Sequence, residues 1–91
     1  MTVTDTIKAI LVDDLGVERP KAEICGSMPL RDELNIDSLS FEELRVRMEE
    51  VFHITISEQE FAADRCPDLD SVVALVESLL ARSAHARENS G

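Results

Sequence analysis

Apolar residues recur at helical spacing in three separate stretches of the chain. In the first stretch they lie three or four positions apart, at Val3, Ile7, Ile10, Leu11 and Leu15. This stripe predicts an amphipathic helix that starts near Thr4. Thr2 and Asp5 have the spacing of a capping pair, and Gly16 stands where a helix end favours a residue that can take positive φ. Pro20 then blocks helical continuation.

A long aperiodic segment follows this first helix. No helical period holds from Val17 to Asp37, and loops of that length are unusual in compact domains unless they are functional. The apolar residues of the segment are spread out, at Val17, Ile24, Met28, Leu30 and Leu34. We expect an ordered loop that these side chains hold against the core.

The second periodic stretch predicts a helix from about Ser38 to Phe52. Its apolar stripe consists of Phe41, Leu44, Met48, Val51 and Phe52. Ser40 and Glu43 have the spacing of a capping box, although Asp37 or Ser38 could equally cap the helix start. The opposite face of the helix is charged.

A short connector with two apolar anchors, Ile54 and Ile56, follows the second helix. Ser57 and Glu60 have the spacing of another capping box, which predicts a short helix that includes Phe61. Pro67 ends any continuation of this helix.

The last helix is predicted to start at Asp68 or Asp70, and its period is lost after about Arg82. Its buried face is marked by Leu69, Val72, Val73, Val76, Leu79 and Leu80. These elements predict an all-α fold: a small bundle of three main helices plus one short helix, with a long ordered loop between the first two main helices. We expect one domain over residues 1–82 and a disordered C-terminal tail over residues 83–91.

Composition agrees with a small helical domain. The 91 residues suffice for one domain, and 44% of them are hydrophobic while only 3% are aromatic. The core must therefore consist mainly of Leu, Ile, Val and Met, which suits packed helices better than a sheet.

The chain is strongly acidic. Nineteen Asp and Glu stand against nine Lys and Arg, for a formal net charge of −10. This balance argues against nucleic acid or an anionic membrane as the main partner, since both need a basic face. It favours a partner with a basic docking patch, and solubility alone would explain it equally well.

The two cysteines, Cys25 and Cys66, do not form a disulfide framework. The N-terminus lacks the basic and apolar regions of a secretory leader, and no apolar run is long enough to span a bilayer. We therefore expect a cytoplasmic protein with reduced thiols.

Signatures of catalysis and of metal binding are missing from the sequence. The two histidines, His53 and His85, lie far apart, and the cysteines lack the paired spacing of a zinc site. The three glycines are scattered, so no glycine-rich phosphate loop is present, and the acids lack the pattern of a calcium loop. We predict no catalytic residue and no metal site.

One segment, Asp32 to Ser40, indicates a site of modification. Ser38 opens an amphipathic helix directly after the long loop, where unpaired backbone N–H groups and the helix dipole favour an attached phosphate. Asp37 beside it is well placed to bind a metal ion or basic group that a modifying enzyme supplies. A serine at a helix start is also commonly an N-cap and nothing more.

The segment resembles the D-S-L signature of the acyl carrier protein family, and the similarity covers about residues 5 to 81. Leu15-Gly16-Val17 matches the L-G-V ending of the family's first helix, and Leu34-Asn35-Ile36-Asp37-Ser38-Leu39 matches its L-G-x-D-S-L motif. The acidic helix of the family is matched by Glu43-Leu44 and by Met48-Glu49-Glu50-Val51-Phe52. The turn that follows that helix is matched by Ile54-Thr55-Ile56-Ser57. The D-S-L tripeptide alone is a weak signal, but its place between a long loop and an acidic helix in a short chain is a strong one.

The resemblance implies a carrier protein rather than an enzyme. Ser38 would carry 4'-phosphopantetheine from coenzyme A, flanked by Asp37 and Leu39, and the arm would hold an acyl group as a thioester. A phosphopantetheinyl transferase, a loading ligase or transferase and downstream biosynthetic enzymes would be the partners of a monomer. The implied docking residues lie on the second helix: Glu42, Glu43, Arg45, Val46, Arg47, Glu49 and Glu50.

Three residues depart from the family pattern. Asn35 replaces the usual glycine, and asparagine tolerates positive φ better than most residues. Arg45 and Arg47 are less expected on the acidic helix. They would either pair locally, with Glu42 and Glu43 respectively, or select partners.

The departures favour a dedicated pathway, such as specialised lipid or polyketide biosynthesis, over a housekeeping fatty-acid role. An aminoacyl or peptidyl carrier is an alternative, although that family more often has G-G-x-S, so Asp37 counts against it. An unmodified acidic helical adaptor is the other alternative.

Overall fold

The computed structural model describes residues 2–62 and 64–90, with the backbone alone for 84–90. Three helices make up the fold: α1 (Val3–Ala9), α2 (Ser38–Phe52) and α3 (Leu69–Ser90). A π-helical turn, Ile10–Asp14, continues α1, and a short 3-10 helix, Lys21–Glu23, lies in the loop between α1 and α2. The predicted all-α bundle is confirmed, and no helix of the described residues is long and apolar enough to cross a membrane.

The ends of α1 form as the sequence predicts. The Thr2 hydroxyl accepts a hydrogen bond from the Asp5 amide at 3.1 Å, and the Asp5 carboxylate accepts one from the Thr2 amide. Gly16 takes positive φ (72°) just after the helix. The π-helical turn is not predicted by the sequence, and in it the Leu15 amide donates to the Ile10 carbonyl five residues back.

The long loop between α1 and α2 is ordered and held by the predicted apolar anchors. Ile24, Leu30 and Leu34 are buried, while Val17 and Met28 pack partly buried against the core. Two backbone hydrogen bonds join the loop to the region where α3 begins, from the Leu30 amide to the Pro67 carbonyl and from the Asp70 amide to the Gly26 carbonyl. A Cβ atom at Gly26 would meet the Asp70 carboxylate, the end of an exposed side chain that could move aside.

The predicted bounds of α2 are confirmed, but one residue of its predicted apolar stripe is misplaced. Leu44 and Met48 are fully buried, and Phe41 and Phe52 pack against the core. Val51, by contrast, is 46% exposed. The helix ends at Phe52, and His53 takes a left-handed conformation as its C-cap.

The short helix predicted around Phe61 is a single turn in the described residues 57–62. The capping contact itself forms, since the Ser57 hydroxyl accepts a hydrogen bond from the Glu60 amide at 3.1 Å. One turn suffices to bury Phe61, whose ring stacks on that of Phe41 with centroids 4.1 Å apart. The prediction of a short helix was wrong here, because a single turn already buries Phe61.

Asp68 caps the start of α3, one of the two residues that the sequence proposes. Its carboxylate accepts hydrogen bonds from the amide and the hydroxyl of Ser71. The buried face of α3 includes Leu69, Val72 and Val76. The helix extends past Arg82 to Ser90. The division into a domain (1–82) and a disordered tail (83–91) stays a prediction.

Candidate functional site

Ser38 is the first residue of α2, and its side chain is exposed. The N-cap of the helix is Asp37, whose carboxylate accepts a hydrogen bond from the Ser40 amide at 2.8 Å. This bond, together with the Ser40 hydroxyl, holds the pKa of Asp37 below its ordinary value. Because Asp37 performs the capping, the Ser38 hydroxyl is left available for chemistry.

The turn before α2 fixes the direction in which Ser38 is presented. Asn35 has a φ of 55°, the left-handed conformation that its place in the sequence predicts. Ile36 is then buried, and its amide donates to the Leu30 carbonyl at 3.0 Å. With Ile36 anchored in the core, the next two residues emerge at the surface.

Arg31 contacts the Ser38 side chain from the preceding loop. Its Nη2 atom donates a hydrogen bond to Ser38 Oγ over 3.4 Å. A surface cavity of about 420 Å³ lies at this point, lined by Arg31, Asn35, Ile36, Asp37 and Ser38. Arg31 is not among the residues that the sequence predicts for the site, because the loop has no period that would place its side chain.

The exposed face of α2 brings together several of the predicted docking residues. Leu39 is 71% exposed and Val46, seven positions later, is 42% exposed. A shallow cavity of about 410 Å³ is lined by Glu42, Glu43, Val46, Arg47 and Glu50. Exposed apolar side chains ringed by charges are typical of interaction surfaces.

Arg45, another predicted docking residue, turns toward the protein instead. Its side chain is only 16% exposed, and its Nη1 atom donates to the Ile56 carbonyl at 3.0 Å. It pairs with Glu42 at 2.9 Å, with Glu49 at 3.5 Å and with Glu58 at 3.8 Å. The hydrogen bond with Glu42 raises the pKa of Arg45 and lowers the pKa of Glu42.

Glu49 completes the connection between α2 and the following connector. Its Oε2 atom accepts a hydrogen bond from the Ile56 amide at 2.9 Å. Arg45 and Glu49 thus bind the carbonyl and the amide of the same residue, and the side chains of both are mostly buried. We call Glu42, Arg45, Glu49 and Ile56 the Arg45 cluster.

Of the two local ion pairs predicted for Arg45 and Arg47, one forms and the other does not. The Glu42–Arg45 ion pair is confirmed. The expected Glu43–Arg47 pair is wrong, because Arg47 lies 3.8 Å from Glu50 on the next turn instead. Both charges of that pair are exposed, so solvent screens the contact.

The two thiols differ in environment. Cys25 is exposed, whereas Cys66 is buried, and both are free. Burial, and then the charge of Asp68, raises the pKa of the Cys66 thiol, which makes it a poor nucleophile at neutral pH. No cluster of three potential metal ligands occurs within the described part of the chain.

Comparison with known proteins gives a family match and a set of relatives. Residues 5–76 match the family described as "Phosphopantetheine attachment site". The acyl carrier protein of Chlamydia felis is 33% identical over 78 residues, which is 86% of this chain and 95% of that protein. The acyl carrier protein of Solidesulfovibrio magneticus is 34% identical over 77 residues, covering 85% and 94%. That of Chlamydia trachomatis serovar D is 40% identical over 60 residues, covering 66% and 75%.

Proposed function

The chain belongs to the acyl carrier protein family with its phosphopantetheine attachment site, and we propose that Ser38 is the residue that carries the group. Proteins of this family are carriers rather than enzymes, and their prosthetic group is covalently attached 4'-phosphopantetheine. The observation that carries the assignment to Ser38 is the exposed hydroxyl at the first position of α2, which Asp37 relieves of the capping role.

The residues at the start of α2 fit such a group. The Ser38 hydroxyl faces solvent beside an open cavity, so a phosphodiester on Oγ displaces no core residue. The N-terminal end of a helix also favours negative charge. Arg31 adds a cation at hydrogen-bonding distance from Oγ.

Ser38 would act as the nucleophile when a phosphopantetheinyl transferase modifies the chain. Its hydroxyl would lose a proton to a base of the transferase, and its oxygen would bond to the phosphorus next to the pantetheine group of coenzyme A as the bond from that phosphorus to the nucleotide bisphosphate breaks. The terminal thiol of the arm then supplies the thioester linkage to an acyl group. The chain itself presents the arm, while Asp37 keeps the helix start in place beneath it.

Treatment with a promiscuous transferase and coenzyme A, followed by intact mass measurement, tests the proposal. We expect the wild-type chain to gain the mass of one phosphopantetheine group and Ser38→Ala to gain none. Ser40→Ala serves as the matched control, because it removes a hydroxyl two residues away and should still be modified. An unmodified wild type, or an equal gain in Ser38→Ala, would overturn the assignment.

The exposed face of α2 is the proposed docking surface for the modifying and biosynthetic enzymes. Leu39 and Val46 offer apolar contact, and Glu43 and Glu50 offer charge to a basic partner. Arg45 and Glu49 belong to the Arg45 cluster, so we now assign them an indirect part in docking. Glu43→Lys should therefore weaken the binding of a partner enzyme without unfolding the chain, which titration calorimetry and circular dichroism would separate.

We further propose a monomer that acts in the cytoplasm in a dedicated pathway, such as specialised lipid or polyketide biosynthesis. Arg47 supports the pathway assignment, because it is an exposed cation on an otherwise acidic docking surface. If Arg47 rejects unsuited partners, Arg47→Ala should raise the rate at which housekeeping fatty-acid enzymes accept the loaded protein. An unchanged rate would remove this argument for a dedicated pathway.

A further inference from the structure

Arg31 makes no ion pair among the described residues, as is also true of Arg65, but Arg31 alone of the two contacts Ser38. Arg19 pairs with Glu33 at 2.8 Å, and Arg45, Arg47 and Arg82 each pair with one or more glutamates. Arg31, within the same described residues, makes no ion pair within 4.0 Å and has the Ser38 hydroxyl as its side-chain contact. A full positive charge is thus held next to the hydroxyl of the helix start.

The carboxylates closest to Arg31 in sequence either bind other groups or make no ion pair among the described residues. Glu33 binds Arg19, and Asp37 accepts the Ser40 amide at the start of α2. Asp32, directly after Arg31, is exposed and makes no ion pair among the described residues. The charge of Arg31 is therefore not neutralised in the protein without its prosthetic group.

We propose that Arg31 is a positioning residue that binds the phosphodiester attached to Ser38. This inference rests on the proposed function of Ser38 and goes beyond it, because it assigns a residue of the long loop to hold the root of the arm. A guanidinium binds phosphate oxygens through paired N–H donors, and these oxygens would lie two bonds beyond the Ser38 Oγ atom that Arg31 already contacts.

The charge of the whole molecule makes such a cation useful. A phosphodiester adds a negative charge to a chain that already has a formal net charge of −10, beside Asp37 and close to the acidic face of α2. Arg31 offsets that charge and draws the root of the arm toward the cavity lined by Asn35 and Ile36. The contact is exposed and therefore weakened by salt, so a partner enzyme can release the arm.

Phosphorus NMR of the modified protein tests this contact directly. Wild type, Arg31→Gln, Arg31→Lys and the control Arg47→Gln are each converted to the modified form, with the mass gain verified before measurement. Arg47→Gln removes the same charge from an exposed position on α2, where Arg47 contacts Glu50 rather than Ser38.

We expect the phosphorus resonance of Arg31→Gln to shift away from that of wild type by more than the linewidth, and that of Arg47→Gln to coincide with wild type. Arg31→Lys should restore part of the shift, because it keeps the charge but loses the paired donors. At about 1 M salt, where the Debye length falls to about 3 Å, the resonances should converge.

Different results would overturn the role of Arg31 and the attachment of the arm at Ser38. Coincident phosphorus resonances of modified wild type and Arg31→Gln at low salt, or an equal shift in Arg47→Gln, would overturn the role of Arg31 while leaving Ser38 as the attachment site. If the wild-type chain gains no mass, or if Ser38→Ala gains as much as wild type, the proposed function fails and the role of Arg31 fails with it.

Discussion

Arg45 in α2 and Arg31 in the preceding loop have the same side chain but different surroundings. Arg45 in the Arg45 cluster is mostly buried and binds glutamates on both its own helix and the next segment, together with the Ile56 carbonyl. Arg31 in the loop makes one side-chain hydrogen bond among the described residues, to Ser38 Oγ over 3.4 Å. Each guanidinium nitrogen of Arg45 donates a hydrogen bond within the fold, whereas the charge of Arg31 is the one proposed to bind the attached phosphodiester.

The contrast teaches that residue type alone does not identify a functional cation on an acidic surface. Arg45 lies on the helix where docking is expected, yet its contacts are structural. Arg31 lies outside that helix, yet it touches the side chain proposed for modification.

Arg45→Ala should destabilise the protein by about 2 kcal/mol, because it leaves the Ile56 carbonyl without its donor and the partly buried Glu49 carboxylate without its ion-pair partner. Urea unfolding followed by circular dichroism measures the change. Arg47→Ala is the matched control and should stay within about 0.5 kcal/mol of wild type. Equal losses for the two variants would end the structural assignment of Arg45.

Glu49→Ala should cost about 1 kcal/mol in the same assay, because the partly buried Ile56 amide loses its acceptor. Glu49→Gln retains an acceptor oxygen and should lose less. If both substitutions had the same effect, the charge of Glu49 toward Arg45, rather than the hydrogen bond to Ile56, would be its main contribution.

Asp37 should make the stability of the α2 start depend on pH. Hydrogen bonds lower its pKa in the folded protein, so its stabilisation is present above the ordinary Asp value of 3.8 and is lost as the pH falls through the lower folded value. Asp37→Asn keeps a capping oxygen and lacks this titration. We expect the unfolding free energies of wild type and Asp37→Asn to approach each other as the pH falls into this range, and a constant difference would contradict the capping role.

Arg31→Gln should have the smallest effect on the unmodified protein, within about 0.5 kcal/mol in urea unfolding. Its contact with Ser38 is long and exposed, so little stability depends on it. A loss comparable to that of Arg45→Ala would place Arg31 among the structural arginines.

Local signals predicted much of this molecule. The apolar period and flanking residues placed α2 from Ser38 to Phe52, and the positive φ of Asn35 and Gly16 followed from their positions before and after helices. These features depend on a few neighbouring residues, so the sequence carries them directly. The choice of Asp37 over Ser38 as N-cap remained open because both residue types cap helices well.

The features that the sequence could not predict depend on residues brought together from different elements. Ile56 reaches Arg45 and Glu49 only because the chain reverses at His53. Arg31 reaches Ser38 through an aperiodic loop. Spacing along α2 offered Arg47 both Glu43 and Glu50, and spacing alone does not choose between two such exposed partners.

The capping of α2 by Asp37 also makes position 38 a convenient anchor for a chemical label. Because the helix start does not depend on the Ser38 hydroxyl, Ser38→Cys should introduce a reactive thiol there without loosening the backbone. Cys66 is buried and reacts poorly, so replacing the exposed Cys25 by serine would leave position 38 as the preferred site for a maleimide dye. A fluorophore attached at this point would report on partner binding from the spot where the natural arm is proposed to begin.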